Sequence, residues 1–243
     1  MTATPGSAAP MVSDAPRVTR FGRTERALHW IYASAFLAML ATGLVLYLPL
    51  LAQLISARPL MKALHLAAAA AWLTALALVA ILGNRRALRR TRRELERFTA
   101  DDLRWLRRRP APQGRFNAGQ KAHASVQAAL AVLFTVSGAL LWLGERNTAF
   151  RLPGTIALHD VAMFAGAVLV AGHVAMAFAT RPALDGMLHG TVPADWAAEH
   201  HPAWTPEPPA PAARVGVARV TLALVVAIAG LAGALALAGD ALG

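Results

Sequence analysis

Two histidines, His159 and His173, lie fourteen residues apart in the apolar run Ile156–Ala179. Because an α-helix turns about 100° per residue, the second imidazole comes back to within about 40° of the first, after a rise of about 21 Å. A single helix would therefore present two imidazoles on one face. One imidazole would lie near each side of a hydrocarbon layer about 30 Å thick.

Two further histidines, His29 and His65, each open another apolar run. Imidazole nitrogen suits iron, and haem iron accepts axial histidines. Four histidines on three helices are enough for two haems with two axial ligands each. The chain contains no cysteine, which excludes disulfides, iron–sulfur ligands and thioether attachment, so any haem would be a b-type haem.

The elements that must position these histidines are long apolar segments. With 56% hydrophobic and 15% charged residues, the composition is typical of a membrane protein, and each segment is near the 20 or so residues that span a bilayer. We predict an all-α polytopic membrane protein, in which a four-helix haem-binding bundle is followed by a fifth C-terminal transmembrane helix. The predicted spans are about 30–51, 64–82, 122–143, 156–179 and 217–239.

The remaining segments frame this membrane domain, which we place at residues 17–204. Residues 1–16 are rich in Ala, Pro and Ser, and this composition predicts a disordered N-terminal segment. Residues 1–28 lack the apolar core of a signal peptide, so the first span would itself direct insertion. Residues 205–216 predict a Pro-rich linker to the fifth helix.

Arginine is concentrated between the second and third spans, where residues 84–115 hold twelve arginines against four acids, in a chain of net charge +11. Such a run alone could bind nucleic acid. Between two spanning helices it instead predicts a cytoplasmic loop under the positive-inside rule, and we expect no nucleic-acid partner. Four more arginines in residues 17–26 put the N-terminus of this multi-pass protein in the cytoplasm.

This topology assigns a depth to each histidine. His29 and His173 would lie toward the cytoplasmic side, and His65 and His159 toward the outer side. Only this pairing keeps both ligands of one haem at one level. The alternative is that each histidine is an interfacial residue with its polar tip among the headgroups, but four histidines at matched depths favour ligands.

Small and polar residues near these levels allow two interpretations each. Gly43 lies fourteen residues after His29, where it could admit a flat macrocycle or simply allow helix packing, whereas Gly138 is assigned to packing.

In the segment GRFNAGQKAH, Asn117 and Gln120 could bind a quinone carbonyl. They also match a helix N-cap with a capping box, which the residues alone favour. His123 is taken as interfacial rather than as a ligand.

Several segments together resemble the cytochrome b (gamma) subunit of respiratory formate dehydrogenase, over about residues 17–204. They are RFGRTERALHWI, LHLAAAA, GRFNAGQK, LHDVAMFAGAVLVAGHVAMAF and DGMLHGTVPADWAAEHHPAW. The resemblance implies a membrane anchor that passes electrons from a periplasmic iron–sulfur (beta) subunit, through two b haems, to a quinone reduced at the cytoplasmic side. It also implies a catalytic subunit containing molybdenum or tungsten, and a location in the bacterial inner membrane.

The resemblance also assigns roles to individual residues. His29 and His173 would ligate the iron of the cytoplasmic-side haem, and His65 and His159 that of the periplasmic-side haem. The quinone, menaquinone or ubiquinone, would bind at Asn117, Gly119 and Gln120.

Two features depart from the family pattern: the extra C-terminal helix, and Phe116 where a tyrosine is expected. One alternative is the cytochrome b of a membrane-bound hydrogenase or another molybdoenzyme. A different class altogether would be a non-redox transporter or scaffold that binds no haem.

Overall fold

The computed structural model describes residues 16–208 and 215–243. The predicted disordered N-terminal segment, apart from residue 16, lies outside the described residues, as does half of the Pro-rich linker. Within the described part the protein is all-α except for one small two-stranded sheet.

Five of the helices are long and apolar enough to cross a membrane, and the protein is a multi-pass all-α membrane protein. The helices are α1 (Arg23–Tyr47), α2 (Pro49–Ile55), α3 (Arg58–Leu82), α4 (Arg85–Glu96), α5 (Ala100–Leu106), α6 (Ala118–Arg146), α7 (Thr155–Ala179), α8 (Arg181–His189), α9 (Ala194–His200) and α10 (Val217–Leu242); the strands are β1 (Arg17–Thr19) and β2 (Thr191–Pro193). The candidate spans are α1, α3, α6, α7 and α10.

The ends of the helices differ from the ends of the apolar runs. The first span ends at Tyr47 rather than near residue 51, because Leu48 is extended ahead of Pro49, which starts α2. Helices α1 and α3 begin at Arg23 and Arg58, well before the predicted starts at residues 30 and 64. The first two turns of both helices contain charged residues, so hydropathy alone underestimates the lengths of the helices, and His29 and His65 lie about two turns inside them.

The long helices form a bundle with one added helix. Helix α1 packs along α3 and also contacts α7, α6 packs along α7, and α10 packs along α3. Many large apolar side chains on these helices are exposed, such as Val168 and Ile228, which suits surfaces that face lipid. The predicted fifth helix thus lies against α3, where Arg219 donates hydrogen bonds to the carbonyls of Ile81 and Gly83, and Asp240 pairs with Arg146 of α6.

One end of the bundle carries the arginine-rich helix α4 together with α5, and we call it the basic end. Helices α1, α6 and α10 begin there, and α3 and α7 end there. Strand β1 pairs antiparallel with β2, with Val18 opposite Val192, and so ties the start of the chain to the segment after α8. The other end of the bundle, with α2 and the turn before α7, is called the opposite end.

Candidate functional site

The four predicted histidines come together as two pairs. At the basic end, His29 of α1 faces His173 of α7, with ring centroids 6.1 Å apart and ring planes 55° apart. At the opposite end, His65 of α3 faces His159 of α7, with centroids 6.4 Å apart and planes 64° apart. Helix α7 therefore contributes one imidazole to each pair, as the fourteen-residue spacing implies.

The separation within each pair fits a metal held between two imidazoles. A ligating nitrogen lies about 2 Å from its metal and about 1.1 Å from its own ring centroid, so two axial rings on one iron have centroids about 6.2 Å apart. The observed separations lie close to this value. Nowhere in residues 16–208 and 215–243 do three or more His, Cys, Asp or Glu residues cluster to hold a metal ion. A metal held only by one of these imidazole pairs would take its other ligands from a bound group, and a porphyrin would supply four nitrogens.

Two glycines lie against the opposite-end pair. A Cβ added at Gly43 would lie 3.5 Å from Cε1 of His65, and one added at Gly138 would lie 3.6 Å from Cε1 of His159. Each glycine thus keeps the space beside an imidazole free of a side chain. Gly138, which we assign to helix packing, makes its packing contact with the ring of His159 on α7.

The residue before each of these glycines carries a hydroxyl that sequence reasoning missed. The Thr42 Oγ1 atom lies 2.9 Å from Nδ1 of His65, and the Ser137 Oγ atom lies 2.8 Å from Nδ1 of His159. The repeated dipeptides Thr-Gly on α1 and Ser-Gly on α6 are the sequence signal that could have indicated these contacts.

The basic-end pair has different neighbours. His123 of α6 stacks on His173, with centroids 4.7 Å apart and planes 11° apart. It therefore lies at the ring face of a predicted ligand. Its assignment as an interfacial residue gave no indication of this contact.

Asn117 and Gln120 form the capping box at the start of α6. The Asn117 side chain accepts a hydrogen bond from the Gln120 backbone N–H (2.9 Å), and the Gln120 side chain accepts one from the Asn117 backbone N–H (3.1 Å). Only the oxygens of the two amides are used in this box. Neither amide nitrogen donates a hydrogen bond to any other residue in the described part of the chain, and both side chains are partly exposed. Both amides could therefore cap the helix and still donate to a ligand.

The neighbours of this segment hold it in place. A Cβ at Gly119 would lie 3.3 Å from the ring of Trp105 on α5, and Lys121 Nζ donates to both carboxylate oxygens of Asp102, at 2.9 and 2.7 Å. Burial raises the pKa of Asp102, but hydrogen bonds from Lys121 and Thr99 outweigh it and hold this pKa below its usual value. The ion pair thus anchors α5 against the first turn of α6.

The tail after α9 packs against the loop that precedes α6. His201 Nδ1 donates to the Gly114 carbonyl (2.6 Å), and the Ala203 N–H donates to the Gln113 carbonyl (3.0 Å). Burial and the charge of Arg20 lower the pKa of His201 to about 4, so the ring is neutral at pH 7. Two of the family-like segments, GRFNAGQK and HHPAW, therefore form one unit at the basic end.

Arg115 joins this unit to α1 and α4. Its buried guanidinium donates to Glu25 (2.8 Å), to Glu94 (2.7 Å) and to the Arg20 carbonyl (3.1 Å). Burial and the charge of Arg115 lower the pKa of Arg20 to about 10. Phe116, where the resemblance leads us to expect a tyrosine, is buried here, and the guanidinium carbon of Arg115 lies 4.7 Å from its ring centroid.

Comparison with known proteins adds a family match and named relatives. A family model described as prokaryotic cytochrome b561 matches residues 20–190. The formate dehydrogenase cytochrome b556(fdo) subunit of Escherichia coli K12 is 26% identical over 201 residues, which cover 77% of this chain and 91% of the relative. The formate dehydrogenase cytochrome b556 subunit of Haemophilus influenzae is 23% identical over 209 residues, which cover 79% of this chain and 84% of the relative.

Proposed function

The chain belongs to the prokaryotic cytochrome b561 family of membrane cytochromes, and we propose that it is the diheme cytochrome b subunit of a respiratory formate dehydrogenase. In this role it anchors the complex in the membrane and carries electrons from a periplasmic iron–sulfur subunit to a quinone reduced at the cytoplasmic side. The names of its relatives support the choice of formate dehydrogenase over hydrogenase or another molybdoenzyme.

The observation that carries the proposal is the presence of two facing imidazole pairs at opposite ends of one helix bundle. Their centroid separations of 6.1 and 6.4 Å match two axial ligands on one iron. Haem b, when bound, supplies one-electron exchange at its iron. His29 and His173 would hold one haem, His65 and His159 the other, and the surrounding apolar helices would exclude water.

The distribution of arginine supports the proposed direction of electron transfer, from the opposite end to the basic end. The basic end carries most of the arginines, so the positive-inside rule puts it in the cytoplasm, together with the N-terminus. Electrons would then enter at the opposite end, from an iron–sulfur (beta) subunit that works with a catalytic subunit containing molybdenum or tungsten. They would leave at the basic end for menaquinone or ubiquinone.

The free amide nitrogens of Asn117 and Gln120 support a quinone site at the start of α6. A quinone oxygen gains negative charge on reduction, so a hydrogen-bond donor stabilises the product more than the reactant. The Nδ2 group of Asn117 would donate while its Oδ1 atom caps the helix. Gly119, which the resemblance assigns to the same site, lies between them and lets the ring of Trp105 pack closely against the start of α6.

The test is the haem content of the chain purified in its native complex. We expect two haems b per chain, extractable by acid acetone. His65→Ala and His159→Ala should each remove the opposite-end haem and leave the basic-end haem bound. His29→Ala and His173→Ala should each remove the basic-end haem and leave the opposite-end haem bound. The matched control is His189→Ala, because this histidine is exposed and lies after α7.

A chain that contains no haem would contradict the proposal and favour a non-redox scaffold. A single haem would refute the pairing of the histidines. Copurification with a subunit set other than a formate dehydrogenase would refute the assignment of the upstream enzyme while leaving the cytochrome assignment intact.

A further inference from the structure

The two histidine pairs differ in what supports their rings. Both rings of the opposite-end pair lie at hydrogen-bond distance from a hydroxyl on a neighbouring helix: His65 from Thr42, and His159 from Ser137. Neither His29 nor His173 makes a hydrogen bond with another residue of the described chain. At the basic end, His173 is instead stacked against the ring of His123.

Each hydroxyl oxygen also lies at hydrogen-bond distance from a carbonyl of its own helix. The Thr42 hydroxyl donates to the Ala38 carbonyl at 2.8 Å, and the Ser137 hydroxyl donates to the Leu133 carbonyl at 2.7 Å. A hydroxyl has one proton and two lone pairs, so a hydroxyl engaged in this way can only accept from the imidazole. The Nδ1 atoms of His65 and His159 must then carry the proton.

This tautomer is the one that ligation requires. With the proton on Nδ1, the Nε2 atom presents its lone pair to a metal. A hydrogen bond from Nδ1–H to an oxygen also makes the ring a stronger electron donor, which stabilises ferric relative to ferrous iron. The basic-end histidines lack this hydroxyl support within the described residues.

We propose that Thr42 and Ser137 are positioning residues that lower the reduction potential of the opposite-end haem relative to the basic-end haem. This inference rests on the proposed function. This difference in reduction potential makes electron transfer from the opposite-end haem to the basic-end haem more favourable. The fold thereby gives a direction to two sites that have the same ligand types.

The test compares Thr42→Val and Ser137→Ala, which remove one hydroxyl each, with the double variant, in the purified complex. We expect two haems to remain bound. The midpoint potential of the opposite-end haem should rise in each variant and rise further in the double variant. The potential of the basic-end haem should stay unchanged. The low-spin electron paramagnetic resonance signal of the opposite-end haem, identified by its loss in His65→Ala, should shift in parallel.

The matched controls are Ser34→Ala on α1 and Thr135→Val on α6. Both hydroxyls donate to a helix carbonyl, to Trp30 and Ala131 respectively, and neither is hydrogen-bonded to a histidine. Neither control should move either potential. The conservative variant Thr42→Ser keeps the hydroxyl and should keep the potentials and the resonance signal of the unmodified protein.

Unchanged potentials in the double variant with both haems bound would overturn the inference, as would equal shifts in the two controls. Loss of the opposite-end haem in Thr42→Val, with retention in Thr42→Ser, would support the positioning role through occupancy rather than potential. Loss of that haem in both variants would overturn it. Failure of the proposed function is distinct, because the unmodified protein would then lack two haems before any hydroxyl is changed.

Discussion

Replacing Asn117 with aspartate separates the two roles of this side chain at the start of α6. The cap uses only the Oδ1 atom, which accepts the Gln120 N–H at 2.9 Å. Aspartate keeps an acceptor at this position, and its charge suits a helix N-terminus. It lacks the amide N–H that would donate to a quinone. Asn117→Leu loses both functions, and Asn117→Ser keeps a neutral cap without the amide.

The expected magnitudes follow from these contacts. Loss of the cap costs about 1 kcal/mol, which for a chain of this size lowers Tm by about 2–4 °C. A hydrogen bond to an oxygen that becomes charged contributes about 1.5–3 kcal/mol, which corresponds to at least about tenfold in rate at 1.4 kcal/mol per decade. We therefore expect Asn117→Asp to leave Tm unchanged and to slow quinol formation about tenfold or more. Asn117→Leu should show both defects.

The assay follows quinol formation and haem reduction in the purified complex with its electron donor. Haem content and the rate of haem reduction should be normal in all three variants, because only the exit of electrons is affected. Asn147→Asp is the matched control, since Asn147 also caps a helical turn, at the opposite end, by accepting the Ala149 N–H at 2.9 Å. If Asn117→Asp and Asn117→Ser form quinol at the normal rate, Asn117 is a helix cap only and the quinone site lies elsewhere.

Two further predictions concern the basic end and its orientation. Lys121→Met should destabilise the protein by about 3–5 kcal/mol at pH 7, because the carboxylate of Asp102, which is 2% exposed, loses its partner. Since the pKa of Asp102 is held below its usual value of about 3.9, the pair stabilises the fold above that pH and loses this contribution as the pH falls through the folded-state pKa. The Tm values of the two proteins should therefore converge in acid, and a constant difference would contradict this. A reporter enzyme active only in the cytoplasm should be active when fused after Arg97 and inactive after Gly243; activity at Gly243 would show that α10 does not cross the membrane.

Much of the fold was predictable because hydropathy is a local property of the chain. Uncharged apolar runs of about 20 residues are removed from water only in lipid or in the core of a large protein. The five long helices therefore follow from composition. The depths of the four histidines follow from their positions in those runs. The ends of the helices did not follow, because polar first turns such as that of α1 continue the helix beyond the apolar segment.

The sequence by itself determined that this is a polytopic helical membrane protein with four histidines at two levels, because span length and helical rise are set by neighbouring residues. Only the tertiary structure decided what each ring touches. The Thr42–His65 and Ser137–His159 contacts join residues 23 and 22 positions apart on different helices, and His201 meets Gly114 across 87 positions. Such contacts depend on how each helix is rotated and packed against its neighbours, which the hydrophobic pattern of one helix in lipid leaves open.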